Sequence, residues 1–220
     1  MRQYMQATGV TAALLFASAP VSAQQTADAP APETVVYQAP EAMTIDRPVL
    51  RGRSVFISQI GSGNRATVDQ AASIARADIR QNGDRNSADV LQRDSASSFA
   101  DLRQNGADNA VIATQAGSGA NTLYVRQHGD ANRARTVQDA VAATDNGAIL
   151  AQIGNGNDMA LSQAGADNQA VLVQNGDGNA MTASQDGGGN RLVWTQNGNG
   201  LSDLAIVQSG GQAMQITQTR

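Results

Sequence analysis

The chain has 220 residues, of which only 3% are aromatic and 15% charged, with a formal net charge of −4 and no cysteine. The missing cysteines exclude disulfides, thiolate metal sites and cysteine nucleophiles, and the acidic balance argues against a nucleic-acid partner, whose phosphates need a basic face. So few aromatics argue against an ordinary aromatic-centred core, while frequent Gly, Gln and Asn point to disorder or to β-pairing.

The N-terminus reads as a secretory signal over residues 1–23. Arg2 supplies a positive charge, Val10 to Ala19 is a short apolar run, and Val21-Ser22-Ala23 fits a small-residue cleavage site before Gln24. The apolar run is far shorter than the ~20 residues a bilayer span requires.

Residues 24–52 differ in texture. They hold Pro30, Pro32, Pro40 and Pro48 and the only two glutamates, Glu33 and Glu41. Proline removes ladder donors and no period is sustained, so the expectation is an extended, mostly disordered leader. Val35-Val36-Tyr37 is able to pair with another strand, but a flexible tail is the preferred reading.

From Arg53 to the end, residues 53–220, one pattern recurs: Gln-x-Gly-x-x-Asn-x-φ-x-x-x-Gln, with φ small or apolar. It begins at Gln59 (Gly61, Asn64, Gln70) and returns at Gln81 (Gly83, Asn86, Gln92), Gln104 (Gly106, Asn109, Gln115) and Gln127 (Gly129, Asn132, Gln138). It continues at Gln152 (Gly154, Asn157, Gln163) and Gln174 (Gly176, Asn179, Gln185), then at Gln196 (Gly198, Gln208), where Leu201 replaces Asn. Successive leading glutamines are 22, 23, 23, 25, 22 and 22 residues apart, and Gln218 follows Gln196 by 22. A fixed period of this length marks stacked supersecondary units.

Between the glutamines, residues alternate with period two. Ala75, Ala77 and Ile79 lead to Gln81, and Ala66 and Val68 lead to Gln70, with polar residues between them. A helix would need apolar spacing of three and four and would not tolerate these recurring glycines. The expectation is an all-β solenoid with two strands per repeat, seven repeats and a partial one. Gly-x-x-Asn supplies the turns because both residues accept positive φ. In later units Gly165 with Asn168 and Gly187 with Asn190 repeat that chemistry at the second corner.

Stacking places Gln over Gln and Asn over Asn at roughly 4.8 Å, so their amides bond along columns, and seven rungs rise roughly 34 Å. Small Ala and medium Leu, Ile, Val and Met fill the interior. No cap is expected at either end: Met214, Ile216 and Gln218 look like one more rung, open to a further subunit. Residues 53–138 carry eighteen Asp or Arg and residues 146–220 only seven, so the C-terminal units are expected to polymerise more readily.

These repeats resemble those of curlins, the subunits of bacterial curli fibres, whose consensus is Ser-x5-Gln-x-Gly-x-Gly-Asn-x-Ala-x3-Gln. The likeness is closest at Gln59-Gly61-Gly63-Asn64-Ala66-Gln70, while Met181 replaces Ala in the Gln174 unit and Asn121 and Asn146 stand where Ser opens the repeat. The resemblance implies an extracellular cell-surface fibre of amyloid type with roles in biofilm matrix, adhesion and colonisation. It further implies self-association, a second curlin-type subunit as nucleator or partner, and an outer-membrane export pore with accessory proteins.

Nothing points to an enzyme. His128 is the only histidine and is read as a solvated turn residue, and no catalytic triad, metal cluster, phosphate loop, cofactor site or small-molecule substrate site is evident. Gly176-Asp177-Gly178 is reminiscent of a calcium roll, but that fold needs a nine-residue period. Trp194 is read as a core variant. The competing functions are a monomeric secreted solenoid that binds carbohydrate or ice, and an adhesin that never polymerises.

Overall fold

A computed structural model describes residues 32–38 and 43–220; the signal segment expected over 1–23 lies outside the described residues. The chain is all-β, with no helix among the described residues. The first strand is β1 (Thr34–Gln38), and from β2 (Arg53–Ile60) and β3 (Arg65–Gln70) onward strands alternate between two sheets.

The long sheet continues through β4 (Ala75–Asn82), β6 (Ser97–Asn105), β8 (Ala120–His128), β10 (Asp145–Ile153), β12 (Gln169–Asn175), β14 (Arg191–Asn197) and β16 (Ala213–Thr219). The short sheet continues through β5 (Ser87–Gln92), β7 (Ala110–Gly117), β9 (Arg133–Ala140), β11 (Asp158–Ala166), β13 (Ala180–Gly188) and β15 (Ile206–Ser209). All these pairings are parallel and couple each residue to its repeat equivalent, so Gln81 pairs with Gln104 and Leu102 with Val125. This is a β-solenoid, as the period and the alternation predict.

Inward residues of the two sheets form one continuous core. Ile79, Leu102, Val125, Leu150, Leu172, Trp194 and Ile216 make one column of the long sheet, facing Ala88, Val111, Ala134, Met159 and Met181 of the short sheet. Trp194 is fully buried, as a core variant should be. Burial of this apolar surface is the main favourable term; the parallel register ensures that each rung buries its neighbour.

Two expectations about the ends are corrected. The leader is not a free tail: Thr34–Gln38 pairs antiparallel with β16, from Thr34 opposite Thr219 to Gln38 opposite Gln215. The long sheet is therefore capped at its C-terminal edge, where an open edge was expected. The cause is the row of unpaired groups on β16, which any nearby extended strand satisfies.

Residues 43–47 then run back over the long sheet. Met43 O accepts from Arg191 Nε at 3.1 Å, Ile45 N donates to Gln169 Oε1 at 3.1 Å, and Arg47 pairs with Asp145 at 2.8 Å. Ile45 is buried there, seated over Gly147, whose missing side chain leaves room for it.

Among the described residues nothing covers the opposite end. On β2, Phe56 and Ile60 are 49% and 65% exposed, and inward-facing Val55 and Ile57 are 47% and 43% exposed, because no earlier rung covers them.

Candidate functional site: the stacked amide columns

The predicted glutamines form two columns. In the long sheet, Nε2 of Gln59 donates to Oε1 of Gln81, and the same bond repeats through Gln104, Gln127, Gln152, Gln174, Gln196 and Gln218 at 2.6–3.1 Å. In the short sheet it runs through Gln70, Gln92, Gln115, Gln138, Gln163, Gln185 and Gln208 at 2.8–2.9 Å. The second amide hydrogen is also used: Gln81 donates across the interior to Arg65 O at 3.0 Å, and Gln138 to Thr122 O at 3.0 Å. Each internal amide is thus satisfied both along the stack and across it, which is what makes its full burial tolerable.

The columns have a direction, since each glutamine donates to the one that follows. Among the described residues, Oε1 of Gln59 and of Gln70 accepts nothing. At the other end the last donors are occupied: Gln208 Nε2 bonds Gln212 O at 3.2 Å, and Gln218 Nε2 donates to Ser202 O at 2.9 Å and to the carboxylate of Glu33. Glu33 also accepts from Ser202 N and pairs with Arg220 at 3.6 Å.

The asparagines make a third column with a different geometry. Asn109 donates N and Nδ2 to Oδ1 of Asn86 at 3.2 and 3.0 Å, and Nδ2 also to Gly129 O at 2.7 Å. The pattern links Asn64, Asn86, Asn109, Asn132, Asn157 and Asn179, after which Leu201 N takes the last Oδ1 at 2.9 Å. Asparagine's part in the turn is therefore hydrogen bonding and not positive φ. Positive φ falls one residue earlier, at Gly63, Arg85, Asp108, Ala131, Gly156, Gly178 and Gly200.

The turn-opening glycines Gly61, Gly83, Gly106, Gly129, Gly154, Gly165, Gly176, Gly187 and Gly198 all have positive φ. At Gly83 a Cβ would collide with the Gly106 carbonyl oxygen of the next rung, so glycine is required there by the stacking as well as by the turn.

Two further columns follow, and the first of them was not predicted from the sequence. Asp84 Oδ1 accepts Ser62 N at 2.7 Å, Asp130 accepts Ala107 N at 2.7 Å, Asn155 accepts Asp130 N at 2.8 Å and Asp177 accepts Asn155 N at 2.7 Å. The signal is an Asp or Asn directly after the turn glycine. These hydrogen bonds from Ser62 N–H and hydroxyl are what hold the Asp84 carboxyl below its ordinary pKa. At the second corner, Asn168 N bonds Asn146 Oδ1 at 3.0 Å and Asn190 Nδ2 bonds Asn168 Oδ1 at 2.9 Å. Asn121 precedes them in register but its Oδ1 has no partner, next to the longer 25-residue repeat.

Other charges pair outside the amide columns: Arg76 with Asp78 at 2.7 Å, Arg85 with Asp108 at 2.6 Å and Arg103 with Asp101 at 3.0 Å. The Arg85 bond holds the exposed Asp108 carboxyl below its ordinary value. Arg80, Arg103 and Arg126 line up on the outer face of the long sheet, beside Asn82, Asn105 and His128. His128 closes β8 instead of sitting in a turn, and its Nδ1 lies 3.1 Å from Asn105 Nδ2.

Comparison of the chain with protein-family models, with curated proteins and with solved structures finds no match.

Proposed function

We propose that the chain is the structural subunit of an extracellular, curli-like amyloid fibre that supports biofilm matrix, adhesion and surface colonisation. The observation that carries this reading is the directed glutamine column. It begins on an acceptor, Gln59 Oε1, without a donor among the described residues, and ends on a donor, Gln218 Nε2, held by a side chain from outside the repeats. A second copy supplies the donor that Gln59 lacks and takes the place of Glu33 on Gln218, and the exposed Val55, Phe56 and Ile57 give that contact its hydrophobic gain. Repeats of one design extend by the same bonds that hold each rung within the molecule.

On this reading the partners are further copies, a second curlin-type subunit as nucleator, and an outer-membrane export pore with its accessory proteins. The protein is secreted and needs neither cofactor nor substrate. The test is to hold the purified chain at high concentration and follow it by electron microscopy and thioflavin fluorescence. Unbranched fibres that seed fresh protein are the expected result; a sample that stays unassembled at every concentration sinks the reading.

One observation favours a monomeric secreted binding module instead: β1 covers the long sheet as caps do in soluble solenoids. Its binding surface would be the Arg80, Arg103 and Arg126 column, suited to an acidic saccharide. Binding of uronate oligomers by a chain that never polymerises would support it.

A further inference from the structure

We infer that β1 is an exchangeable strand, capping the long sheet in the single molecule and completing the short sheet at the joint between two copies. This rests on the fibre reading. Among the described residues the long sheet has nine strands, of which antiparallel β1 is one, leaving eight parallel strands; the short sheet has seven. Stacking a second copy so that its β2 follows β16 translates it by eight strand spacings. Bringing its β3 directly onto β15 requires a translation of seven. No single translation does both, so a joint made through the long sheet leaves space for one strand in the short sheet.

The sequence of β1 fits that space. Thr34, Val36 and Gln38 have the spacing of the short sheet's inward residues Ala66, Val68 and Gln70, and of Ala134, Thr136 and Gln138. Laid parallel between β15 and the next copy's β3, Gln38 joins Gln208 to Gln70 and the second glutamine column runs on unbroken. Each joint needs one such strand, and each molecule brings one.

As a cap, β1 uses the opposite parity. Val35 faces Gln218 and packs on the core, while Val36 faces outward opposite Thr217 and is 44% exposed. Being antiparallel, it sets Val35 and Tyr37 over Gln218 and Ile216 and prolongs neither column; Glu33 has to supply the acceptor that Gln59 of a second copy would. Pairing and Glu33 hold the cap, but it continues no column and owes its advantage to tethering: a high effective concentration makes it win in dilute solution and lose to a whole rung at high concentration.

The two valines therefore give opposite outcomes. V36D leaves the cap and its thermal stability intact but places a charge inside the joint, so seeded elongation slows by about tenfold or more. V35D loosens the cap and faces solvent in the joint, so the lag shortens. A V36C/T217C pair, in a chain with no other cysteine, locks β1 onto β16 when oxidised. The oxidised form is expected to make no fibres and to recover on reduction.

Elongation of V36D at the unmodified rate, or fibres from the oxidised lock as fast as from the reduced one, overturns the exchange while leaving the fibre reading intact. Failure of both the unmodified chain and the reduced lock to form any fibre overturns the fibre reading, and the joint with it.

Discussion

Gln218 gives Glu33 the hydrogen bond that every earlier glutamine of its column gives to the next glutamine. A carboxylate from the leader thus stands in for a side-chain amide at the end of the stack. Replacing Glu33 with Ala is expected to free β1 without disturbing the rungs. Amide exchange at Thr34–Gln38 should rise about tenfold while Ala148–Gln152 stays protected. Equal exchange in both proteins would show that pairing alone holds the strand.

The interior of the stack is expected to be far less forgiving. Gln138 is fully buried, donates to Gln163 and Thr122, and accepts from Gln115. Gln138→Met keeps the volume but strands the partners, and should cost about 2–4 kcal/mol in urea unfolding. A cost near zero would mean that water replaces the lost bonds.

Glycines that look alike in the sequence separate in the structure. At Gly129 an added Cβ meets the Gly154 carbonyl oxygen, whereas at Gly156 nothing lies within 4 Å. Gly129→Ala is expected to destabilise by more than about 2 kcal/mol. Gly156→Ala carries only the left-handed strain of about 1 kcal/mol. Thermal melts of the two variants check the order.

The Asp column gives a pH prediction. Hydrogen bonds from Ser62 lower the folded-state pKa of Asp84 below its ordinary value of 3.8. A carboxyl depressed on folding adds stability above its unfolded pKa and loses it as pH falls through the folded one. Acid below about 3.8 should therefore expose the Ser62 amide to exchange. Asp84→Asn should remove that pH dependence and keep the bond, as Asn155 does for Asp130.

The rungs were legible because their chemistry repeats: the Gln59 and Gln70 series state the register outright, and alternation assigns the inward face. The Asp84 column was hidden by variety, since Asp, Asn, Ser and Ala share its position. Positive φ at Arg85 or Ala131 was unreadable because neither residue type announces it. That Val35-Val36-Tyr37 could pair was legible, but its partner was not, for a deeper reason. It pairs antiparallel with a strand some 180 residues away, between Val35 and Gln218, and a single five-residue pairing has no period to betray it.

Everything proposed for this protein depends on rungs of one molecule continuing into the next along a common axis. X-ray diffraction from aligned fibres of the purified chain tests this most directly. A meridional reflection at roughly 4.7–4.8 Å with an equatorial one near 10 Å is the predicted result. Fibres lacking the meridional spacing, or a concentrated solution yielding only single molecules, would contradict it.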